Sequence, residues 1–258
     1  MNIVLFSDND IQPEGDFFIP IRDERAKHII KILHKDVSDT LEAGIIDGMG
    51  GTATIKEINS QGIYLSFMEN NEGKPLHPLA MIIGFPRPIQ LKRLFRDMAG
   101  LGISEIHLTG TQLGEKSYMD SNLIERGTAF ASLLDGTVQA KSTHVPKLFT
   151  YTSVSNCLSS IFSTNSLSTP IRLNLDNIRP QSSLGHYLED HKNQLPKTRE
   201  KSTFVYAAIG SERGWTDMER QLFDEYGFAT CSMGERVLRT ETAATVAASI
   251  ILDKMEIL

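Results

Sequence analysis

The sequence predicts a small β-barrel over residues 1–74, followed over residues 75–258 by an α/β domain with a mainly parallel sheet. Three observations predict this division. Up to about Asn71, apolar residues form short or alternating runs that glycine turns separate. From Leu79 onward, apolar strands alternate with amphipathic helices. Near the C-terminus, two strands that are expected to be neighbours in the sheet each lead through a glycine loop into a helix, which predicts a ligand crevice at the carboxyl edge of the sheet.

The barrel is predicted from short strands such as residues 63–67, with glycine turns such as Asp47-Gly48 between them. One helix, residues 23–34, interrupts the strands, because its apolar residues recur at helical spacing. The polar run of residues 70–75 is typical of a linker.

The α/β domain is predicted from apolar runs that alternate with segments of helical periodicity. Its predicted strands cover residues 79–85, 105–109, 171–175, 203–210 and 228–232. Its predicted helices cover residues 88–100, 121–134, 153–162, 183–190, 216–226 and 240–255. Strands joined in this way lie parallel in one sheet, so their carboxyl ends meet at one edge.

Composition narrows the class of protein. The chain has 258 residues, of which 40% are hydrophobic and 22% charged, as in globular domains. No run approaches the roughly 20 apolar residues that span a bilayer, so no membrane association is expected. The first seven residues lack the features of a secretory signal. Two distant cysteines and seven histidines without metal-ligand spacing predict no metal and no disulfide, which favours a reducing, cytoplasmic location.

The net charge of −6 is unusual for a protein that binds nucleic acid. Residues 1–75 carry 13 acidic and 7 basic side chains, whereas residues 76–258 carry 19 of each. Since Lys and Arg bind phosphate groups, any RNA contact is expected at local basic patches.

Two loops contain the candidate ligand-binding residues. The first, Gly210-Ser211-Glu212-Arg213-Gly214, precedes a helix that opens at Thr216, with Glu219 completing a capping box. Glycine at such a turn lets the backbone approach a ligand and directs free N–H groups at it. The second loop begins at Met233 and carries two arginines before an alanine-rich helix. Small residues on that helix allow either a tight helix contact or a dimer seam.

These loops resemble the two signature loops of the RsmE family, SPOUT-class RNA methyltransferases that methylate uridine N3 in small-subunit ribosomal RNA. The matching residues are Ile209-Gly210-Ser211-Glu212-x-Gly214 and Gly234-x-Arg236-Val237-Leu238-Arg239-Thr240-Glu241-Thr242-Ala243. Strand 172–175 is similar to a third strand of the same pocket. The resemblance implies a PUA-like barrel that binds RNA, then a SPOUT-type α/β domain with a C-terminal trefoil knot. It also implies a homodimer that uses S-adenosylmethionine and acts on ribosomal RNA or the small ribosomal subunit.

The resemblance also implies site residues. The expected cofactor-binding residues are Leu175, Ile209, Gly210, Ser211, Glu212, Gly214, Met233, Gly234, Val237 and Leu238. Because uridine N3 must lose a proton, Arg239 is expected to stabilise the resulting charge, and Arg236 to bind phosphate or the cofactor carboxylate. Glu241 or Glu212 is expected to orient an arginine or to act as the base. A first-turn helix acid is an equally good interpretation of Glu241.

Two of the chain's departures from the family pattern bear on its function. Arg213 replaces a glycine, so it is either strained at a positive φ or adds a charge beside the cofactor. Residues 138–142 keep only Gln139 of the family's pattern. Two alternatives therefore stay open: a SPOUT methyltransferase that acts on another RNA, and a cofactor-binding dimer without catalytic activity. Trp215 is expected to staple the following helix rather than to stack on a base.

Overall fold

The computed structural model of the protein describes residues 2–119, 127–163, 170–196 and 204–258. Contacts divide the chain into two compact units, Met1–Pro75 with Leu134–Val145, and Leu76–Leu133 with Pro146–Leu258. The sequence placed residues 134–145 in the second domain. Hydrogen bonds join this segment to the first unit instead, since Thr143 Oγ1 donates to the Gly48 carbonyl at 2.7 Å.

The first unit contains a barrel-like sheet with strand order β1-β3-β4-β5-β2. Its strands are β1 Val4–Phe6, β2 Phe17–Pro20, β3 Thr40–Ile45, β4 Gly50–Ile58 and β5 Gly62–Asn71. The β1 strand runs parallel to β3, and the other neighbours are antiparallel. The rings of Phe6 and Phe17 stack with centroids 4.3 Å apart, so the two edge strands approach each other and the sheet is nearly closed. The predicted linker begins too early, because Asn70 and Asn71 end β5.

The predicted helix over residues 23–34 is shorter and less regular than expected. Asp23 caps α1, Glu24–Lys27, and the chain continues as a π-helical turn over His28–Ile32. Three isoleucines follow His28, and β-branched side chains lower helix propensity. The start is fixed by Arg25, which donates two hydrogen bonds of 2.8 Å to the Asp10 carboxylate. Burial alone would raise the pKa of Asp10, but hydrogen bonds from Arg25 and Ser7 hold that pKa below its usual value.

The second unit contains the predicted parallel sheet, with strand order β10-β12-β9-β11-β6-β7-β8 and parallel pairing throughout. Its strands are β6 His77–Gly84, β7 Ile103–Thr109, β8 Lys147–Tyr151, β9 Ile171–Leu175, β10 Ser182–Ser183, β11 Val205–Ile209 and β12 Ala229–Ser232. The α/β prediction is confirmed. Strands β8 and β10 were not predicted, because one is a half-exposed edge strand without an apolar run and the other has two residues.

Helices join these strands close to the predicted positions. They are α2 Pro88–Gly100, α3 Thr128–Gln139, α4 Val154–Phe162, α5 Leu184–Asp190, α6 Asp217–Glu225 and α7 Thr240–Lys254. Ser153, Ser183 and Thr216 cap the helices α4, α5 and α6 with their side chains. Residues 121–126 of the predicted helix 121–134 lie outside the described residues, as does Thr203 of the strand predicted over residues 203–210.

The last helix returns from the β12 side of the sheet to pack on β6, β11 and α2. Ala243, Ala244, Ala247 and Ala248 are buried within the protein's own fold. The alanines of this helix therefore make a tight internal contact, and a dimer seam along the helix stays a prediction. The trefoil knot stays a prediction of the family resemblance. Among the described helices, none is long and apolar enough to cross a membrane.

Candidate functional site

Three strand ends form one cleft of about 270 Å³ at the carboxyl edge of the parallel sheet. Leu175 pairs with Ile209 on one side and with Cys231 on the other, so β9 lies between β11 and β12. The two glycine loops were expected to follow neighbouring strands, and this expectation is wrong. Because β9 separates them, the loop after Leu175 contributes a third wall to the cleft.

Most of the expected cofactor residues line this cleft. They are Leu175, Ile209, Gly210, Ser211, Glu212, Gly214, Met233, Val237 and Leu238. Gly234 is the exception, because it does not line the wall. It has a φ of +106°, a conformation that glycine adopts easily, and it turns the chain after β12.

The first glycine loop is a tight turn, and it has no room for a side chain at Gly210. A Cβ on Gly210 would lie 2.8 Å from the Gly214 Cα and 2.9 Å from its carbonyl carbon. The Gly214 N–H donates to the Ser211 carbonyl at 2.8 Å, and Gly214 has a φ of +72°. Arg213 is not at a positive φ, so the replacement of glycine there causes no backbone strain.

Glu219 joins this loop to the loop after β7. Its carboxylate is 2% exposed and accepts the Gln112 N–H at 2.8 Å and the Thr216 N–H at 2.8 Å. Thr216 Oγ1 in turn donates to Gln112 Oε1 at 2.8 Å. A further hydrogen bond of 3.0 Å runs from Thr111 Oγ1 to Ser211 Oγ. These bonds hold two strand-end loops in one fixed arrangement beside the cleft.

Asp176 and Arg220 form an ion pair in the cleft wall that the sequence did not predict. Arg220 Nε donates to Asp176 Oδ2 at 2.7 Å, and Arg220 Nη1 donates to Asp217 Oδ1 at 3.0 Å. The side chains of Asp176 and Arg220 are 10% and 18% exposed. A polar residue directly after a buried strand was the available signal for Asp176, but Arg220 stands on a helix without a recognisable motif.

Of the three expected catalytic residues in and after the second loop, one lines the cleft and two do not. Arg236 lines the cleft, whereas Arg239 is the exposed N-cap residue of α7 and lies outside the lining. Glu241, in the first turn of α7, is 6% exposed and also lies outside the lining. The loop is fastened at Thr240, whose Oγ1 donates to the Gly210 carbonyl at 3.2 Å. The second loop is thereby joined to the first.

Two exposed ion pairs surround the first loop. Arg87 Nε lies 3.4 Å from Glu212 Oε1, and Arg213 Nη2 lies 3.3 Å from Glu115 Oε1. Charged groups of both signs therefore meet at the mouth of the cleft.

Other reactive or aromatic groups near the cleft have structural roles. Trp215 is 2% exposed and packs against Phe223, with ring centroids 4.9 Å apart, as its predicted packing role requires. Burial raises the pKa of the Cys231 thiol to about 11 and that of Cys157 to about 12. Neither thiol is a nucleophile at neutral pH, since the thiolate is the reactive form. Within the described residues, no group of three or more His, Cys, Asp or Glu side chains is placed to hold a metal ion.

Comparison with known proteins identifies the family of the chain. The family model of the RNA methyltransferase domain matches residues 72–252. The chain is 39% identical to ribosomal RNA small subunit methyltransferase E of Treponema pallidum, over 98% of this chain and 91% of the relative. It is 29% identical to methyltransferase E 1 of Borreliella burgdorferi, over 97% of each chain.

A solved structure shows the same fold. It is the ribosomal RNA small subunit methyltransferase E of Neisseria gonorrhoeae, bound to S-adenosyl methionine. The match has a TM-score of 0.73 and 17% identity, and it covers 98% of this chain and 97% of that one. From the family model and the Treponema relative, we conclude that the chain belongs to the ribosomal RNA small subunit methyltransferase E family.

Proposed function

We propose that this protein transfers a methyl group from S-adenosylmethionine to N3 of a uridine in small-subunit ribosomal RNA. The observation that carries the proposal is the convergence of three strand-end loops on one cleft, in a chain that belongs to this methyltransferase family. The reaction is proposed to take place in the cytoplasm, with ribosomal RNA or the small ribosomal subunit as the partner.

The cleft suits the cofactor in size and chemistry. Its 270 Å³ is close to the lower end of small-molecule sites, roughly 300–1,000 Å³. Leu175, Ile209 and Leu238 supply aliphatic walls for an adenine ring. The Asp176 carboxylate suits hydroxyl groups, and Arg236 suits a carboxylate. When bound, the cofactor supplies an electrophilic methyl group on a sulfonium.

The chain's own residues are proposed to prepare the uridine for attack. Arg239 stabilises the negative charge that spreads over the uracil oxygens as N3 loses its proton. Arg236 binds a phosphate or the cofactor carboxylate from the cleft wall. Glu212 orients an arginine, since its Oε1 already lies 3.4 Å from Nε of the Arg87 guanidinium. The burial of Glu241 in the first turn of α7 favours its role as an acid that stabilises the helix N-terminus.

The active unit is proposed to be a homodimer, on the strength of the family resemblance. Since the alanines of α7 are buried internally, the interface must use other residues. Light scattering at micromolar concentration should give twice the chain mass of 28.7 kDa. A mass of one chain at every concentration that supports activity would contradict the dimer.

The function is tested by methyl transfer to small-subunit RNA. Purified protein is incubated with labelled S-adenosylmethionine and either small-subunit RNA or assembled subunits, and the product nucleoside is identified by mass spectrometry. We expect N3-methyluridine at one position, and we expect Arg239→Ala to lower kcat by roughly 100-fold or more. Methylation of transfer RNA alone would favour the alternative RNA target. Cofactor binding without transfer to any RNA would favour the inactive dimer.

The structure removes one reason for the inactive alternative. Arg213 was one of its two motives, beside the acidic N-terminal segment, and the backbone conformation of Arg213 is unstrained. The loop around it keeps the tight turn at Gly210 and Gly214.

A further inference from the structure

Arg213 stands at the mouth of the cleft with most of its guanidinium in solvent. It lines the cleft, and its side chain is 68% exposed. Its ion-pair partner in the described residues is Glu115, whose side chain is 53% exposed, with 3.3 Å between the charged atoms. An ion pair between two exposed side chains contributes little to stability, because water screens both charges. A contribution to the stability of the fold therefore does not explain why an arginine occupies position 213.

The arginines in and near the cleft differ in how firmly they are held. Arg220 is largely buried and contacts two carboxylates, so its position is fixed. Arg87 is 66% exposed and pairs with Glu212. Arg236 is exposed and makes no ion pair with another described residue. Arg213 belongs with the exposed group, and it is carried by the same short turn that forms the cleft wall.

A guanidinium held weakly by one carboxylate can exchange it for a stronger anionic partner. Arginine binds phosphate through two parallel hydrogen bonds, which a lone 3.3 Å contact with a carboxylate does not match. The cofactor carboxylate is the other available anion. The cofactor is proposed to lie within the cleft, where the exposed Arg236 has no carboxylate partner among the described residues, whereas the side chain of Arg213 is 68% exposed.

The charge distribution supports an RNA phosphate as the partner. Residues 1–75 have an excess of six acidic side chains, whereas residues 76–258 carry equal numbers of both signs, so the cleft-bearing part of the chain is electrostatically the more favourable place for a phosphate. A phosphate next to the target nucleotide has to lie near the mouth of the cleft, since the reacting base must meet the cofactor there. Arg213 is at that mouth.

We propose that Arg213 is an RNA-binding residue that exchanges Glu115 for a backbone phosphate beside the methylated nucleotide. This inference rests on the proposed function. Glu115 acts as a temporary counter-ion, which keeps the guanidinium at the mouth of the cleft when no RNA is bound. Removal of the Arg213 charge should therefore weaken RNA binding, and removal of the Glu115 charge should strengthen it.

The experiment measures the Kd for a small-subunit RNA transcript over a range of salt concentrations. Arg213→Gln should raise the Kd roughly tenfold and lower the slope of log K against log salt by about one. Glu115→Gln should tighten RNA binding, because the phosphate no longer competes with a carboxylate for Arg213. Lys192→Gln is the matched control, since it also removes an exposed cation from an ion pair. Its partner Glu256 follows the C-terminal end of α7, whereas the first residue of α7, Thr240, lines the cleft. Lys192→Gln should leave the Kd within twofold.

The remaining outcomes are distinguishable. Equal weakening by Arg213→Gln and Glu115→Gln would mean that the pair is structural and would overturn the inference, as would no effect of Arg213→Gln. Titrations with S-adenosylhomocysteine and methylthioadenosine, which lacks the amino-acid part, give a second readout. If Arg213→Gln weakens only the first ligand, Arg213 binds the cofactor carboxylate and the inference is wrong. If the wild-type protein methylates no RNA, the proposed function fails instead.

Discussion

Gly210→Ala is expected to lower the affinity for S-adenosylmethionine by roughly 100-fold and the free energy of unfolding by about 1–3 kcal/mol. The added Cβ would lie 2.8 Å from the Cα of Gly214, which is backbone and cannot turn away. The turn that connects β11 to α6 must then open. The same displacement affects the hydrogen bond from Thr240 to the Gly210 carbonyl, so the second loop of the cleft moves as well.

Calorimetric titration with S-adenosylmethionine measures the affinity of this variant, and urea unfolding measures its stability. Gly185→Ala is the matched control, because a Cβ at this helical glycine of α5 would meet no atom within 4 Å. It should stabilise the protein by about 0.4–1 kcal/mol and leave cofactor affinity unchanged. Normal cofactor binding by Gly210→Ala would mean that the first loop does not form the cofactor site.

Glu219→Ala is expected to destabilise the protein by roughly 3 kcal/mol, since it leaves two amide donors without their acceptor, at about 1–3 kcal/mol each. Those donors are the N–H groups of Gln112 and Thr216, each 2.8 Å from the carboxylate. The loop after β7 is then no longer joined to the loop after β11 by this residue. Cofactor affinity should fall too, because Ser211 and Trp215 in the same segment line the cleft.

Urea unfolding with Glu219→Ala, Glu219→Gln and Glu225→Gln tests this role. Glu219→Gln keeps one acceptor oxygen and should lie between the wild type and the alanine variant. Glu225 stands on the same helix, but it is exposed, and among the described residues its side chain accepts a hydrogen bond from Gln221, so its replacement should change stability by less than about 0.5 kcal/mol. If Glu219→Ala behaved like Glu225→Gln, the network would have no energetic importance.

The sequence by itself determined the class of fold and most of the cleft. Periodicity located α2 at its observed bounds, and the capping residues Ser153, Ser183 and Thr216 marked the starts of three helices. These signals are local, since a capping bond or an apolar face depends on residues within a few positions. The glycine loops were recognisable for the same reason, because each is a short motif of consecutive residues.

Tertiary structure decided what depends on partners distant in sequence. Only the strand order places β9 between the two glycine loops, and this order brings Asp176 into the cleft wall beside Arg220. The packing role of the α7 alanines also depended on what lies against them. Small residues suit a helix contact within one chain as well as one between chains. The conformation and the partner of Arg213 were likewise not predictable from the sequence. Its φ and its pairing with Glu115 follow from the folded loops, and no pattern in the sequence specifies them.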